Sequence, residues 1–220
     1  MPTRFFAVLC TLAVAACASA CAASTGGASR SSTAQTSSAT SPAGSRVLSY
    51  EGIALEPGPP LGSAATTQTS RVDGISCGPS EQLAYHIHVH LTVFDNGHPY
   101  ALPAGVGIPG SVTEQSSQGP LAVGGQCIYW LHTHASDGVI HIESPVRRLY
   151  TLGEFFDLWN QPLSSDRVAS LRGHVTAFVN GEIWKGSLRD IPLYPHTLIQ
   201  FSLGAPPASL ISVDWSQTNL

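Results

Sequence analysis

From Tyr85 to Leu91 histidine alternates with apolar residues: His86, His88 and His90 fall between Tyr85, Ile87, Val89 and Leu91. A period of two belongs to a β-strand, whose successive side chains point to opposite faces, so this segment has an imidazole face and an apolar face. The same pattern returns further on. Cys127 to Leu131 reads as a strand and Ser136-Asp137-Gly138 as turn chemistry, which predicts a β-hairpin over Cys127–Ser144. With the turn centred on Ser136 and Asp137, His132 lies opposite His141 and Trp130 opposite Glu143. His132, His134, His141 and Glu143 then share one face, and Tyr129, Leu131, Ile140 and Ile142 the other, which is a ligand face backed by a core face.

Six of the nine histidines fall in these two windows. The bland account has them hydrogen-bonding loops or solvent on a polar sheet face. Imidazole nitrogen is, however, the commonest protein ligand for zinc and copper, and packing gives three rings no reason to gather. Directly opposed Cβ atoms sit about 4.5–5.5 Å apart, close enough for two imidazoles to reach one ion through bonds of about 2.0–2.1 Å. His132, His134 and His141 are the first candidates, with Glu143 either a fourth ligand or a group that orients a histidine N–H. His86, His88 and His90 complete that site, form a second one, or stand behind it as partners. His98, His174 and His196 are isolated and read as surface or loop residues. Met1 is the only methionine, which leaves no thioether for Cu(I). The expected cofactor is a divalent ion, Zn or Cu, with Fe, Mn and Ni also compatible with three His and one Glu.

The chain has 220 residues, but its beginning does not read as fold. A basic start at Met1–Arg4, an apolar run from Phe5 to Ala16 and the small-residue stretch ending at Cys17 resemble a bacterial lipoprotein signal, 1–17. The resemblance implies that Cys17 becomes the lipid anchor to a membrane, with Cys21 as the alternative and a plain secretory signal as another. Residues 18–45 are almost entirely Ala, Ser, Thr and Gly, a composition that buries too little apolar surface to order and reads as a tether. Residues 46–220 suit one domain. A net charge of −4, with 11% charged residues and no basic run, argues against nucleic-acid partners and polybasic membrane binding. Outside the signal region Cys77 and Cys127 remain, an even pair that predicts a disulfide in an exported protein. The competing role for Cys127 is that of a metal thiolate.

Along the rest of the chain, Arg46–Arg71 reads as an edge strand or a draped segment with Leu48, Tyr50, Ile53 and Leu55 as core contacts. Asp95-Asn96-Gly97 ends the first strand in a hairpin turn, Tyr100–Ile108 returns as an irregular edge, and Pro109–Gly125 reads as a surface loop. Thr151 and Glu154 form a capping box before Leu152, Phe155, Phe156 and Trp159 at helical spacing, and Pro162 stops the helix, with a shorter turn expected at Asp166–Leu171. Short strands follow at Val175–Val179, Ile183–Lys185, Leu198–Leu203 and Ile211–Trp215. His90–Gly97 and His174–Gly181 match closely, through duplication or through a shared solution to one hairpin problem. The predicted fold is mainly β, an antiparallel sandwich or open barrel with one short amphipathic helix at about 151–160.

Three His and one Glu resemble the ligands of cupins, and His-x-His with a third His on a neighbouring strand resembles α-type carbonic anhydrases. The composite of His86-x-His88-x-His90-Leu91, Leu131-His132-Thr133-His134, Gly138-Val-Ile-His141-Ile-Glu143-Ser144 and Leu152-Gly153-Glu-Phe155-Phe156-Asp157-x-Trp159 resembles a family of uncharacterised bacterial secreted proteins over roughly Cys77–Gly204. That resemblance brings no activity. The first expectation is an extracytoplasmic, lipid-anchored protein that binds zinc or copper. The second is a cupin-like or hydrolytic metalloenzyme with Glu143 as ligand or general base, and the third a pH-sensing surface module without metal.

Overall fold

The computed structural model describes residues 46–207 and 209–220. The signal-like segment 1–17 with Cys17, the alternative anchor Cys21 and the tether 18–45 lie outside the described residues. Seven strands make the main sheet: β1 (Tyr85–Asp95), β2 (His98–Tyr100), β3 (Leu131–His132), β4 (Val139–Ser144), β5 (Val175–Val179), β6 (Glu182–Ile183) and β7 (Leu198–Leu203). Their order is β6-β5-β7-β1-β4-β3, with β2 also paired to β1. Every pairing in this sheet is antiparallel except β7 with β1. The sheet stays open, and smaller antiparallel sheets surround it in a sandwich-like, mainly β arrangement.

The alternation read from the sequence sorts the faces. Val89, Leu91, Val93, Leu131, Ile140 and Ile142 point into the core, all with 0–1% exposure. The helix α1 (Leu152–Trp159) closes that side and buries Leu152, Phe155, Phe156 and Trp159. Its capping box is formed: Thr151 Oγ1 accepts from the Glu154 N–H and Glu154 Oε2 accepts from the Thr151 N–H. The helix stops at Asn160, whose φ of 55° is left-handed, before Pro162 is reached. Each phenylalanine buried this way contributes about 1.5–3 kcal/mol.

Several connections differ from the sequence reading. Val112–Ser116 and Gly119–Gly124 form a hairpin where a loop was expected; its largely exposed first strand carries no apolar stripe to signal it. Residues 101–109 are irregular yet buried, and they take the place of a further strand beside β3. The Tyr129 N–H donates to the Gly107 carbonyl at 2.9 Å and the Thr133 N–H to Val106 at 3.0 Å. Gly107 permits the approach, since a Cβ there would sit 2.3 Å from the Leu131 carbonyl oxygen. Asp166–Leu171 falls in a small three-stranded sheet, and Ile211–Trp215 forms no strand. Cys77 and Cys127 are disulfide-bonded, 50 residues apart. Closing a loop of that length removes unfolded-state entropy worth about 4 kcal/mol, and the bond takes Cys127 out of any ligand set.

The strap at 46–57 covers the histidine face rather than the core. Ile53 is buried, while Leu48 and Tyr50 are exposed. Two carboxylates give the strap its grip: Glu51 reaches the histidines, and Glu56 Oε2 accepts from the Leu102 N–H at 2.9 Å. Part of Glu56 reaches the surface, but Oε1 is buried without a partner. Burial pushes its carboxyl up to about 8; the Leu102 hydrogen bond opposes that shift and the Asp137 carboxyl adds to it. Between 4.5 and about 8 the folded chain keeps a proton that the unfolded chain has released, so this group makes stability fall as pH rises through that window. Glu56→Gln is expected to reduce the loss of stability between pH 5 and pH 8 by roughly 2–4 kcal/mol. Urea unfolding at the two pH values measures it, and identical losses in wild type and variant would reject this account of Glu56.

Candidate metal centre

Strand β4 lies between β1 and β3, and its register sets three imidazoles in a row. His88 is paired with His141, and His141 with His132, the opposition expected from the turn position. One row along, His86 is paired with Glu143, whose N–H donates to the Trp130 carbonyl at 2.7 Å. Ring centroids lie 4.7 Å apart for His88 and His141, 5.3 Å for His141 and His132, and 4.8 Å for His134 and His141.

Backbone carbonyls decide which nitrogen each outer ring presents. His132 Nδ1 is 2.8 Å from the Tyr129 carbonyl oxygen, and His134 Nδ1 is 2.8 Å from that of Ala122. A carbonyl only accepts, so both Nδ1 atoms carry protons, and in the neutral ring Nε2 is then left with a lone pair. These two Nε2 atoms face each other at 3.1 Å. Two acceptors at that distance need a proton or a cation between them. Two ligand nitrogens on one tetrahedral zinc are themselves about 3.3 Å apart, given bonds near 2.0–2.1 Å. Further acceptors converge on the same region, with Glu81 Oε1 3.1 Å from His134 Nε2 and Glu143 Oε2 3.9 Å from His132 Nε2.

His141 sits between two carboxylates. Its Nδ1 is 3.2 Å from Glu143 Oε1 and its Nε2 is 2.8 Å from Glu51 Oε1. Burial pulls this imidazole down, but hydrogen bonds and charge from Glu143 and Glu51 outweigh it and push its pKa up to about 10. His88 is driven the other way, down to about 3, by burial first and by His141 second. His132 is held well below the usual histidine value by complete burial first and by His141 second. His88 and His132 are thus held neutral, the metal-binding form of imidazole, on either side of a His141 flanked by the carboxylates of Glu51 and Glu143.

Four buried polar atoms here have no hydrogen-bond partner: His88 Nε2, Glu143 Oε2, Glu51 Oε2 and Asp137 Oδ2. Buried polar groups are ordinarily paired, and a cation would satisfy such acceptors. Among the described residues, His86, His88, His141 and Glu143 form one group able to hold a metal, and His132, His134, His141 and Glu143 another, each with donor atoms within 4.8 Å. Within this mostly buried cluster the His86 and Glu81 side chains are the most exposed, at 40% and 39%.

His90 belongs to neither group. It shares the face, but its cross-strand neighbour is Val139, and its Nδ1 lies 3.2 Å from Thr92 Oγ1. Its other surroundings are a mainly apolar cavity of about 350 Å³ lined by Leu55, Glu56, Thr92 and Phe94, among others. His98, His174 and His196 are exposed, and His196 stacks on Trp215. Glu51, Glu81 and the fully buried Asp137 were not singled out from the sequence. Burial, and then the charge of Glu51, pushes the Asp137 carboxyl up to about 7.

Fold and site together define a mainly β protein whose sheet carries a His/Glu cluster able to chelate a metal ion. No family model, curated protein or solved structure matches the chain.

Glu51 fixes the His141 ring from the nitrogen away from Glu143, the relation in which a carboxylate orients a metal-bound histidine. Glu51→Ala is expected to lower Zn(II) affinity about 10- to 100-fold while the domain stays folded. A competition titration against a chelator of known affinity measures this. An unchanged affinity would mean that Glu51 serves only to fasten the strap.

Proposed function

We propose that the protein is a lipid-anchored extracytoplasmic metal-binding protein that takes up zinc or copper for scavenging, delivery or buffering. The observation that carries this reading is the pair of opposed Nε2 lone pairs on His132 and His134, 3.1 Å apart, with each ring held in that tautomer by a backbone carbonyl. A donor set of imidazoles and carboxylate suits Zn(II) and Cu(II), and no methionine follows Met1 to favour Cu(I). The Cys77–Cys127 disulfide is consistent with an oxidising compartment. The anchor at Cys17 and the kinship with bacterial secreted proteins rest on the sequence patterns given above.

Protein purified without a histidine tag is expected to retain Zn or Cu by elemental analysis, and His132→Ala/His134→Ala to lose at least half of it. Equal metal content in the two proteins would remove these residues from the ligand set. In bacterial cells, labelled palmitate is expected to enter the wild-type chain but not Cys17→Ser, which would then leave the membrane fraction. Label persisting in Cys17→Ser would move the anchor to another residue.

A second reading, a metalloenzyme, has one observation in its favour: the His86 and Glu81 side chains at the edge of the centre are exposed to water. Catalytic zinc sites keep an open position, whereas structural ones are closed.

A further inference from the structure

Resting on the metal-binding reading, we infer that the centre holds two ions rather than one, on opposite sides of Glu143, whose carboxylate bridges them. The donors come in two sets that share β4 but lie on its two flanks: His86 and His88 on β1, His132 and His134 on or just after β3. A tetrahedral ion takes four ligands. Five imidazoles and Glu143 exceed what one such ion uses.

Glu143 faces both flanks. Its Oε1 lies 3.1 Å from His86 Nε2 and 3.2 Å from His141 Nδ1, and its Oε2 lies 3.9 Å from His132 Nε2. Oε2 is buried and unpartnered, and so is His88 Nε2 on the other flank. Each set thus contains a buried donor atom without a partner, and one ion on each flank satisfies both.

His141 cannot serve both ions through Nδ1, and Glu51 occupies the region of its Nε2 at 2.8 Å. Because Nδ1 lies beside Oε1, His141 falls to the first set, giving His86, His88, His141 and Glu143 Oε1 around one ion. The second ion then has His132, His134 and Glu143 Oε2, and Glu81 Oε1, 3.1 Å from His134 Nε2, stands at its exposed side.

The test uses the full chain, stripped with a chelator and titrated with Zn(II), the bound ion being counted by equilibrium dialysis and elemental analysis. Saturation at two ions per chain is expected, with His86→Ala/His88→Ala and His132→Ala/His134→Ala each retaining one. With Cu(II), the electron spin resonance of the fully loaded wild type is expected to show spin–spin broadening that either double variant lacks. Wild-type stoichiometry decides the matter without relying on any variant to fold. Saturation at one ion, unaltered in His86→Ala/His88→Ala, overturns the two-ion centre and leaves a one-ion site standing. If the wild type binds none, the metal-binding reading falls with it.

Discussion

Strand β4 is held in register from two sides at once, and the chemistry of the face depends on that register. Its Ile140 and Ile142 are completely buried on one side, so a slip of one residue would turn His141 and Glu143 into the apolar core and two isoleucines out among imidazoles. The turn at its start reinforces the choice. A Cβ at Gly138 would come within 2.7 Å of His90 Nε2 and 2.8 Å of the Leu91 carbonyl, and Gly138 itself has a φ of 83°. Glycine thus lets the turn press against β1, where its carbonyl accepts from the Leu91 N–H at 2.8 Å. Core burial and turn geometry together place His88, His141 and His132 in one row.

Around that row, irregular segments do what regular strands do not. The hairpin over 112–124 brings the Ala122 carbonyl to His134, and the buried stretch at 101–109 pairs with 129–133 and fixes the edge that carries His132. Thr133, between the two ligand candidates, points the other way; it donates from Oγ1 to the Pro103 carbonyl at 2.7 Å and accepts from the Val106 N–H at 3.0 Å. One residue in the His-Thr-His run thus anchors the backbone while its neighbours present nitrogen.

The strands and the shared face were legible because alternation is a local signal: each of Tyr85–Leu91 and Val139–Glu143 displays its own two faces. The helix was legible for a similar reason, since Thr151 and Glu154 lie three residues apart. Glu51 left no comparable trace. It sits in the strap, 90 residues from His141, and only the folded path of the strap brings the two together. Asp137 was hidden by its own turn propensity, which explains its position without requiring burial. His90 shows the converse limit. Period two puts it on the right face, but whether it joins a cluster depends on what stands opposite, and there β4 offers Val139.

The strap ties the candidate centre to two other parts of the domain. Glu51 contacts His141, its carbonyl accepts from the Asn219 N–H at 3.2 Å, and the Glu56 N–H donates to the Ser136 carbonyl at 2.9 Å, so one segment touches the centre, the C-terminal tail and the turn before β4. Without a cation, Glu51, Glu143 and Asp137 are crowded carboxylates out of water with His141 as their nearest counter-charge. An ion relieves that crowding only while the strap is seated, because lifting it removes Glu51 from the site. Linkage then requires the reverse as well: whatever holds the strap down raises affinity for the ion by the same factor.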